Sequence, residues 1–543
     1  MITSFSLFVS YLEEFLLSAS NWLVNHPTKF RFLLERREEA CKKKRKPSMV
    51  IGLGEWRPKR DDPIPLYRQI ASYIREKISV GEWPVGYKIP PERTLALTFK
   101  VNRSTVVAAV QELTAEGLIQ GRSGSGTIVV QQPDPFPTLH WPSYVNAGMF
   151  HPNLPTIQEI NRLEFVPNMI RLGTGEPSSD LYPHANMKQV LAQVAEKIPS
   201  LGYEEPKGLY KLRREVSRHL AKKGINVPPS CILIVSGALQ GLQLISLGLM
   251  NPGATMLMEK PSYLYSLNLL PSTGIRMKGI ELDAQGISQR ALLAGIQQQT
   301  AQMLYTIPTF QNPTGKVLSE SGREQLLKLC QQERIALIED DVYSDLWLDE
   351  EPPLPIKALD QKGTVLYVGS MSKTISPGLR IGWLVAPETV IDRLADLKMQ
   401  TDYGASSLSQ WTVYEWLASG LYEQHLLYVR EQLRARRDFM LALLERYFND
   451  LATWSIPAGG FYIWLCFLHE KISMRSLFKR AQQQSILLNP GNLYDPLDDT
   501  HLRLSYSYAS YEQLEFGMKQ LAQIVRNLVE CPRGCCDNYK KQL

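Results

Sequence analysis

Apolar positions recur at two different periods along this chain, and the change of period divides it. Leu66, Ile70, Ile74 and Ile78 stand four residues apart, the buried stripe of a first helix that ends at Gly81 and Pro84. Pro90-Pro91-Glu92 restarts helix. Pro91 suits the first turn, Glu92 complements the positive end of the dipole, and Leu95, Ala96 and Phe99 face inward. After a short turn at Lys100 to Asn102, Val106, Ala109, Val110 and Leu113 fall at i, i+3, i+4 and i+7, the inner stripe of a third helix. Leu118 to Val129 reads as two short strands around the tip Arg122-Ser123-Gly124-Ser125-Gly126.

From Met169 onward the pattern is different. Short apolar runs (Ile232 to Val235, Met256 to Met258, Met303 to Ile307, Ala336 to Ile338, Thr364 to Val368) alternate with amphipathic stretches, which predicts an α/β domain whose mostly parallel sheet is covered by helices. Between the two patterns lies a Pro-containing stretch with scattered aromatics, Phe136, Trp141 and Phe150 among them, which reads as a linker. The expected divisions are an extension over residues 1–60, a helical domain over 61–130, a linker over 131–170, an α/β domain over 171–530 and a tail over 531–543.

Composition narrows this only locally. A length of 543 residues with 44% hydrophobic and 21% charged side chains calls for at least two cores and excludes wholesale disorder. The net charge of +6 is already present in residues 1–60, where twelve Lys or Arg face six Glu. The rest is neutral, so nucleic-acid binding has to come from a local patch. Seven scattered Cys argue for a reducing, cytoplasmic setting and against a disulfide framework, and the CPRGCC tail offers too few ligands, with no nearby His, for a metal site. The apolar segment Phe5 to Val24 is broken by Glu13, Glu14 and Asn21 and lacks a preceding positive region, so neither a membrane span nor a signal peptide is expected. It reads as a partly ordered extension or an interfacial amphipathic helix, with Met49 an alternative start.

The chemistry gathers in Gly369 to Trp383, GSMSKTISPGLRIGW, after the apolar run Val365 to Val368. Lys373 offers an amine able to condense with an aldehyde as a Schiff base, and Ser370 and Arg380 offer a hydroxyl and a bidentate fork for a phosphate. That set suits pyridoxal 5'-phosphate (PLP); by itself it equally suits a surface loop with solvated cations. Other strand ends carry further candidates, where ligands bind in open parallel sheets. Ser236-Gly237-Ala238-Leu239-Gln240 opens a helix and forms an anion site. Tyr263 suits ring stacking or a buried core position. Asn312-Pro313-Thr314-Gly315 is a turn that aims an amide at a ligand oxygen or simply reverses the chain, and Glu339-Asp340-Asp341-Val342-Tyr343 sets a carboxylate at a strand end that suits a protonated ring nitrogen.

Two resemblances join these pieces. PLYRQI, PPERTLA, VNRSTVVAAVQEL, GLI and GSGTIV, over residues 64–130, resemble the winged helix-turn-helix of the GntR regulators. The resemblance implies that Arg93, Arg103, Ser104 and Thr105 contact double-stranded DNA, with Arg122 and Gly124 in the wing. Val107 stands where other branches often carry Arg. Without the resemblance, a three-helix protein-interaction module would serve. The series YEEPKGL, SGALQ, PSY, NPTG, DDVY, SMSK with LRIGW, and HLRLSYS, over about residues 170–528, resembles the fold-type I aminotransferases, with their small C-terminal α+β subdomain. It implies Lys373 as the Schiff-base lysine, Asp340 as partner of the pyridine nitrogen, Asn312 and Tyr343 as partners of the ring hydroxyl oxygen, and Tyr263 as the stacking ring. It implies phosphate ligands at Ala238, Leu239, Ser370 and Arg380, with Tyr203 reaching in from the neighbouring subunit. Arg503 is implied as the fork for a substrate carboxylate, beside the pair Gly459-Gly460. The combination, with LYEQHLLYVREQLRARRD over 421–438, resembles the MocR branch of the GntR family. That implies a cytoplasmic, domain-swapped homodimer that binds an operator and senses PLP with an amino acid or amine effector. The other reading is a working aminotransferase with an accessory DNA-binding domain.

Overall fold

The computed structural model describes residues 56–122, 126–130, 144–145, 147–283, 286–298, 301–469 and 472–530. The chain divides between Trp141 and Pro142 into two compact units. The wing-tip residues Ser123, Gly124 and Ser125, the extension up to residue 55, linker residues 131–143 and the CPRGCC tail lie outside the described residues.

The first unit is three helices and a hairpin: α1 (Leu66–Ser79), α2 (Glu92–Phe99), α3 (Arg103–Ala115), β1 (Ile119–Arg122) and β2 (Gly126–Val129), the strands antiparallel with Arg122 opposite Gly126. Ile70, Ile74, Ile78, Leu95, Phe99, Val106, Ala109 and Leu113 pack into one core, so the periodic stripes face one another. Trp56 stacks on Tyr73 at 4.2 Å between ring centres. Two details differ from the sequence reading. Pro91 is the cap of α2 and not part of its first turn: its backbone is extended, and its carbonyl accepts the Leu95 N–H at 3.0 Å. Val110 is half-buried at the margin of the stripe.

In the second unit, α4 (Pro155–Leu163) and β3 (Ile170–Arg171) precede an eight-stranded sheet. Its strands are β4 (Ile232–Val235), β5 (Thr255–Lys260), β6 (Arg276–Asp283), β7 (Gly286–Ile287), β8 (Ala301–Thr306), β9 (Ala336–Asp340), β10 (Val365–Ser370) and β11 (Gly382–Val385), in the order β4-β11-β10-β9-β8-β5-β6-β7. Neighbours from β10 to β6 run parallel; β11 is antiparallel to both β10 and β4. Buried on both faces, these strands read as continuous apolar runs and not as alternations. A smaller antiparallel sheet follows: β12 (Ala452–Trp454), β13 (Tyr462–Phe467), β15 (Asn489–Pro490) and β16 (His501–Ser505); between β13 and β15, β14 (Ile486–Leu487) pairs with β3. The long helix Leu421–Phe448 packs against the last helix, Tyr511–Glu530.

A fully buried arginine ties the loop after β8 to this frame. Arg323 donates to the carbonyls of Leu318 (2.9 Å), Leu354 (3.3 Å) and Pro308 (3.0 Å) and to the Thr309 hydroxyl (2.9 Å). These bonds hold the start of the loop that carries Asn312. Replacing the guanidinium by an apolar chain strands four buried acceptors. Arg323→Met is therefore expected to lower the stability of this unit by about 3 kcal/mol, read from urea unfolding, and an unchanged midpoint would contradict the assignment.

Candidate functional site

The C-terminal ends of the parallel strands open onto a cavity of about 430 Å³. Ala238, Leu239, Tyr263, Asn312, Asp340, Tyr343, Ser370, Lys373, Arg380 and Arg503, all singled out in the sequence, line it together. Tyr203 does not. It is exposed, with its ring 4.8 Å from that of Tyr403. Gly459 packs beneath the wall: a Cβ there would lie 2.2 Å from the Phe310 ring.

One end is built for an anion. After β4 the chain turns at Gly237, whose φ of 87° favours glycine, into the helix α5 (Ala238–Leu249). The first N–H groups of that helix, on Ala238 and Leu239, have no intrahelical acceptor. Arg380 donates through Nη2 to the Ser236 carbonyl at 3.0 Å, and a Cβ on Gly237 would lie 2.6 Å from that nitrogen. The Ser370 hydroxyl receives the Ser372 N–H at 3.1 Å, and Ser372 itself lines the cavity.

The middle holds a buried carboxylate. Asp340 ends β9, where Tyr305 donates to its Oδ2 at 2.7 Å, while Oδ1 is buried with no partner. Burial pushes the Asp340 carboxyl up to about 6, against the pull of the Tyr305 bond. The Tyr343 and Tyr462 hydroxyls are 3.0 Å apart, and burial holds Tyr343 well above the ordinary phenol range. The Lys373 ammonium donates to the Gly175 carbonyl at 2.6 Å and lies 5.8 Å from the centre of the Tyr343 ring.

At the far end, buried Arg503 is clamped between aromatic faces, 4.0 Å from the Tyr462 ring centre and 4.8 Å from that of Tyr494. It donates to Asn312 Oδ1 at 2.9 Å and to the Gly173 carbonyl at 2.7 Å, and its Nε is buried without an acceptor. Asn312 is therefore tied to Arg503, which the turn reading did not foresee. The sequence reading also passed over Tyr305, Ser372, Tyr462 and Tyr494. Tyr305 falls within the apolar run Met303 to Ile307, and its position near the end of that core strand is the available signal.

The donor set fits PLP. An unpartnered carboxylate oxygen matches a ring N–H, the helix start with Arg380 matches a phosphate, and Lys373 is an amine for the aldehyde. The spare Arg503 Nε matches a ligand carboxylate.

In the first unit, Arg93, Arg103 and Ser104 are exposed and Thr105 is half-buried. Arg103 donates to Glu92 Oε2 through Nη2 at 3.0 Å and Nε at 3.2 Å. Arg122 ends β1, and Gly124 lies outside the described residues. Among the described residues no helix is long and apolar enough to cross a membrane, and no cluster of His, Cys, Asp or Glu could hold a metal ion.

Residues 66–129 match the model of bacterial regulatory proteins of the gntR family, and residues 167–521 match aminotransferase class I and II. The uncharacterized HTH-type transcriptional regulator YisV of Bacillus subtilis is 50% identical over 88% of this chain and 99% of its own length. The HTH-type transcriptional regulator NorG of Staphylococcus aureus is 34% identical over 81% of this chain and 100% of its own. Among solved structures, the kynurenine aminotransferase of Pyrococcus horikoshii superposes with a TM-score of 0.66 at 29% identity, over 70% of this chain and 96% of that one. With both halves matched in one chain and full-length relatives sharing them, the protein belongs to the GntR-family HTH-type regulators that carry an aminotransferase class I and II domain, the MocR-type arrangement.

Proposed function

We propose that this protein is a cytoplasmic transcription regulator that binds operator DNA as a domain-swapped homodimer and responds to PLP and to an amino acid or amine effector. The observation that carries the reading is the union, in one chain, of a winged helix with a cavity whose unpartnered Asp340 Oδ1 and Arg503 Nε await a ligand.

Bound in the cavity, PLP supplies an aldehyde carbon for an amine and a ring that withdraws electrons. Ala238, Leu239, Ser370 and Arg380 would hold its phosphate, and Asp340, kept in place by Tyr305, would hold a proton at the ring nitrogen. Tyr263 would stack on the ring, and Asn312 and Tyr343 would bond its hydroxyl oxygen. Lys373 would anchor the group through its amine, which donates to the Gly175 carbonyl. Tyr203, exposed in one chain, suits a residue offered to the partner subunit. In the winged helix, Arg103, Arg93, Ser104 and Thr105 would meet phosphates and base edges, with Arg122 and Gly124 in the wing. Arg103 exchanges Glu92 for DNA at little cost, since exposed ion pairs are worth about 0.2–1 kcal/mol. A ligand favouring one state of the effector dimer shifts DNA affinity by its differential affinity for the two states.

A second reading, transaminase turnover, is favoured by the same fact that every expected PLP-site side chain is present; an amino acid panel assayed for turnover decides it. For the regulator reading, purified protein treated with PLP and borohydride is expected to carry the label on Lys373 by peptide mapping. Lys373→Ala should stay colourless, keep operator binding and lose its response to PLP; an intact response would overturn the reading. Arg103→Ala should weaken operator binding and reduce the slope of log affinity against log salt by about one, measured by fluorescence anisotropy. An unchanged slope would remove Arg103 from the interface.

A further inference from the structure

One ionisable group on the cavity wall has no task in that reading. Glu164 follows α4 and lines the cavity with Lys373 and Arg503. Three consecutive residues define its surroundings. The Gly173 carbonyl accepts from Arg503 at 2.7 Å, the Thr174 hydroxyl donates to Glu164 Oε1 at 2.9 Å, and the Gly175 carbonyl accepts from Lys373 at 2.6 Å. The chain thus gathers a guanidinium, a carboxylate and an amine on one short segment. The guanidinium and the amine have work to do with a carboxylate and an aldehyde; the carboxylate has none.

Nor is Glu164 neutralised. Among the described residues its hydrogen-bond partner is the neutral Thr174, and no cation pairs with it, whereas neighbouring Glu176 has Arg171 at 3.5 Å. Burial first, and then the Glu164 charge, push the Glu176 carboxyl upward, so the two like charges oppose each other beside the amine. An acidic ligand side chain would add a third negative charge to this wall, and an aliphatic one would leave Glu164 without a counter-charge.

We infer that Glu164 selects the effector: the cavity takes an α-amino acid with a cationic side chain, its carboxylate on Arg503 and its ammonium or guanidinium group on Glu164. This rests on the regulator reading and adds the chemical class of its ligand.

The test uses full-length, PLP-loaded protein, with the coenzyme absorbance band followed during titration with L-lysine, L-ornithine, L-norleucine, which is isosteric with ornithine, and L-glutamate. Lysine or ornithine is expected to bind about tenfold tighter than norleucine, with glutamate weakest, as one charge-assisted hydrogen bond requires. Glu164→Gln, compared once its coenzyme band confirms loading, should bring lysine and norleucine to similar affinity. If that variant does not fold, Thr174→Val, which releases the carboxylate, should narrow the preference in the same direction. Norleucine or glutamate binding as tightly as lysine, a preference that survives in the variants, or no spectral response to any of the four overturns the assignment. Failure to load PLP at all is a different result, and it overturns the reading beneath as well.

Discussion

A buried carboxylate with one oxygen left without a hydrogen bond governs the effector unit. Asp340 sits at the end of a core strand, one oxygen held by Tyr305 and the other bare, in surroundings that push it up to about 6. Stranding such a group costs stability unless something arrives to share the charge. Its neighbours make sense in that light. Arg503, clamped by two tyrosine rings, keeps a donor free, and Lys373 donates to a backbone carbonyl and not to a carboxylate. Glycine is favoured at 237 because the backbone there takes a φ of 87°, beside the arginine of the anion end.

The frame around this cavity is rigid where the chemistry needs it. The loop bearing Asn312 starts under three carbonyls and a hydroxyl held by Arg323, and Asn312 itself accepts from Arg503. In the proposed function the same Asn312 amide would meet both the coenzyme and Arg503. The winged helix has a looser arrangement on its DNA-facing candidates: Arg103 rests on Glu92 at the surface, an ion pair that phosphate displaces easily. Tight, desolvated bonding at the sensor and weak, exchangeable bonding at the reader suit a protein that holds a coenzyme and releases an operator.

Much of this was legible in the sequence, for reasons that are physical. Helix stripes at Ile70 to Leu113 and apolar strand runs from Ile232 to Val368 are local patterns, and Ala238, Tyr263, Asn312, Asp340, Ser370 and Lys373 lie at or shortly beyond the ends of such runs, where parallel sheets present their ligands; Arg503 instead stands inside a strand of the antiparallel sheet. The groups passed over act through tertiary geometry. Tyr305 touches Asp340 from an adjacent strand, Tyr462 and Tyr494 meet Arg503 from separate parts of the small sheet and its connections, and Arg323 reaches two loops. No spacing along the chain encodes those contacts. Glu164 escaped notice for the same reason: it stands in a stretch read as linker, and only folding brings it to the cavity. Pro91 shows the smaller kind of miss, a boundary shifted by one residue because a proline serves equally well just outside a helix.

The central claim is that coenzyme occupancy and operator binding are one linked equilibrium. Operator affinity should be measured by fluorescence anisotropy on coenzyme-free and PLP-saturated protein, and PLP affinity by absorbance on free and operator-saturated protein, all at one salt concentration. Linkage requires the two ratios to be equal and predicts that both differ from one. Two ratios of one would mean that the sensor and the reader share a chain without sharing free energy, and the account would be wrong.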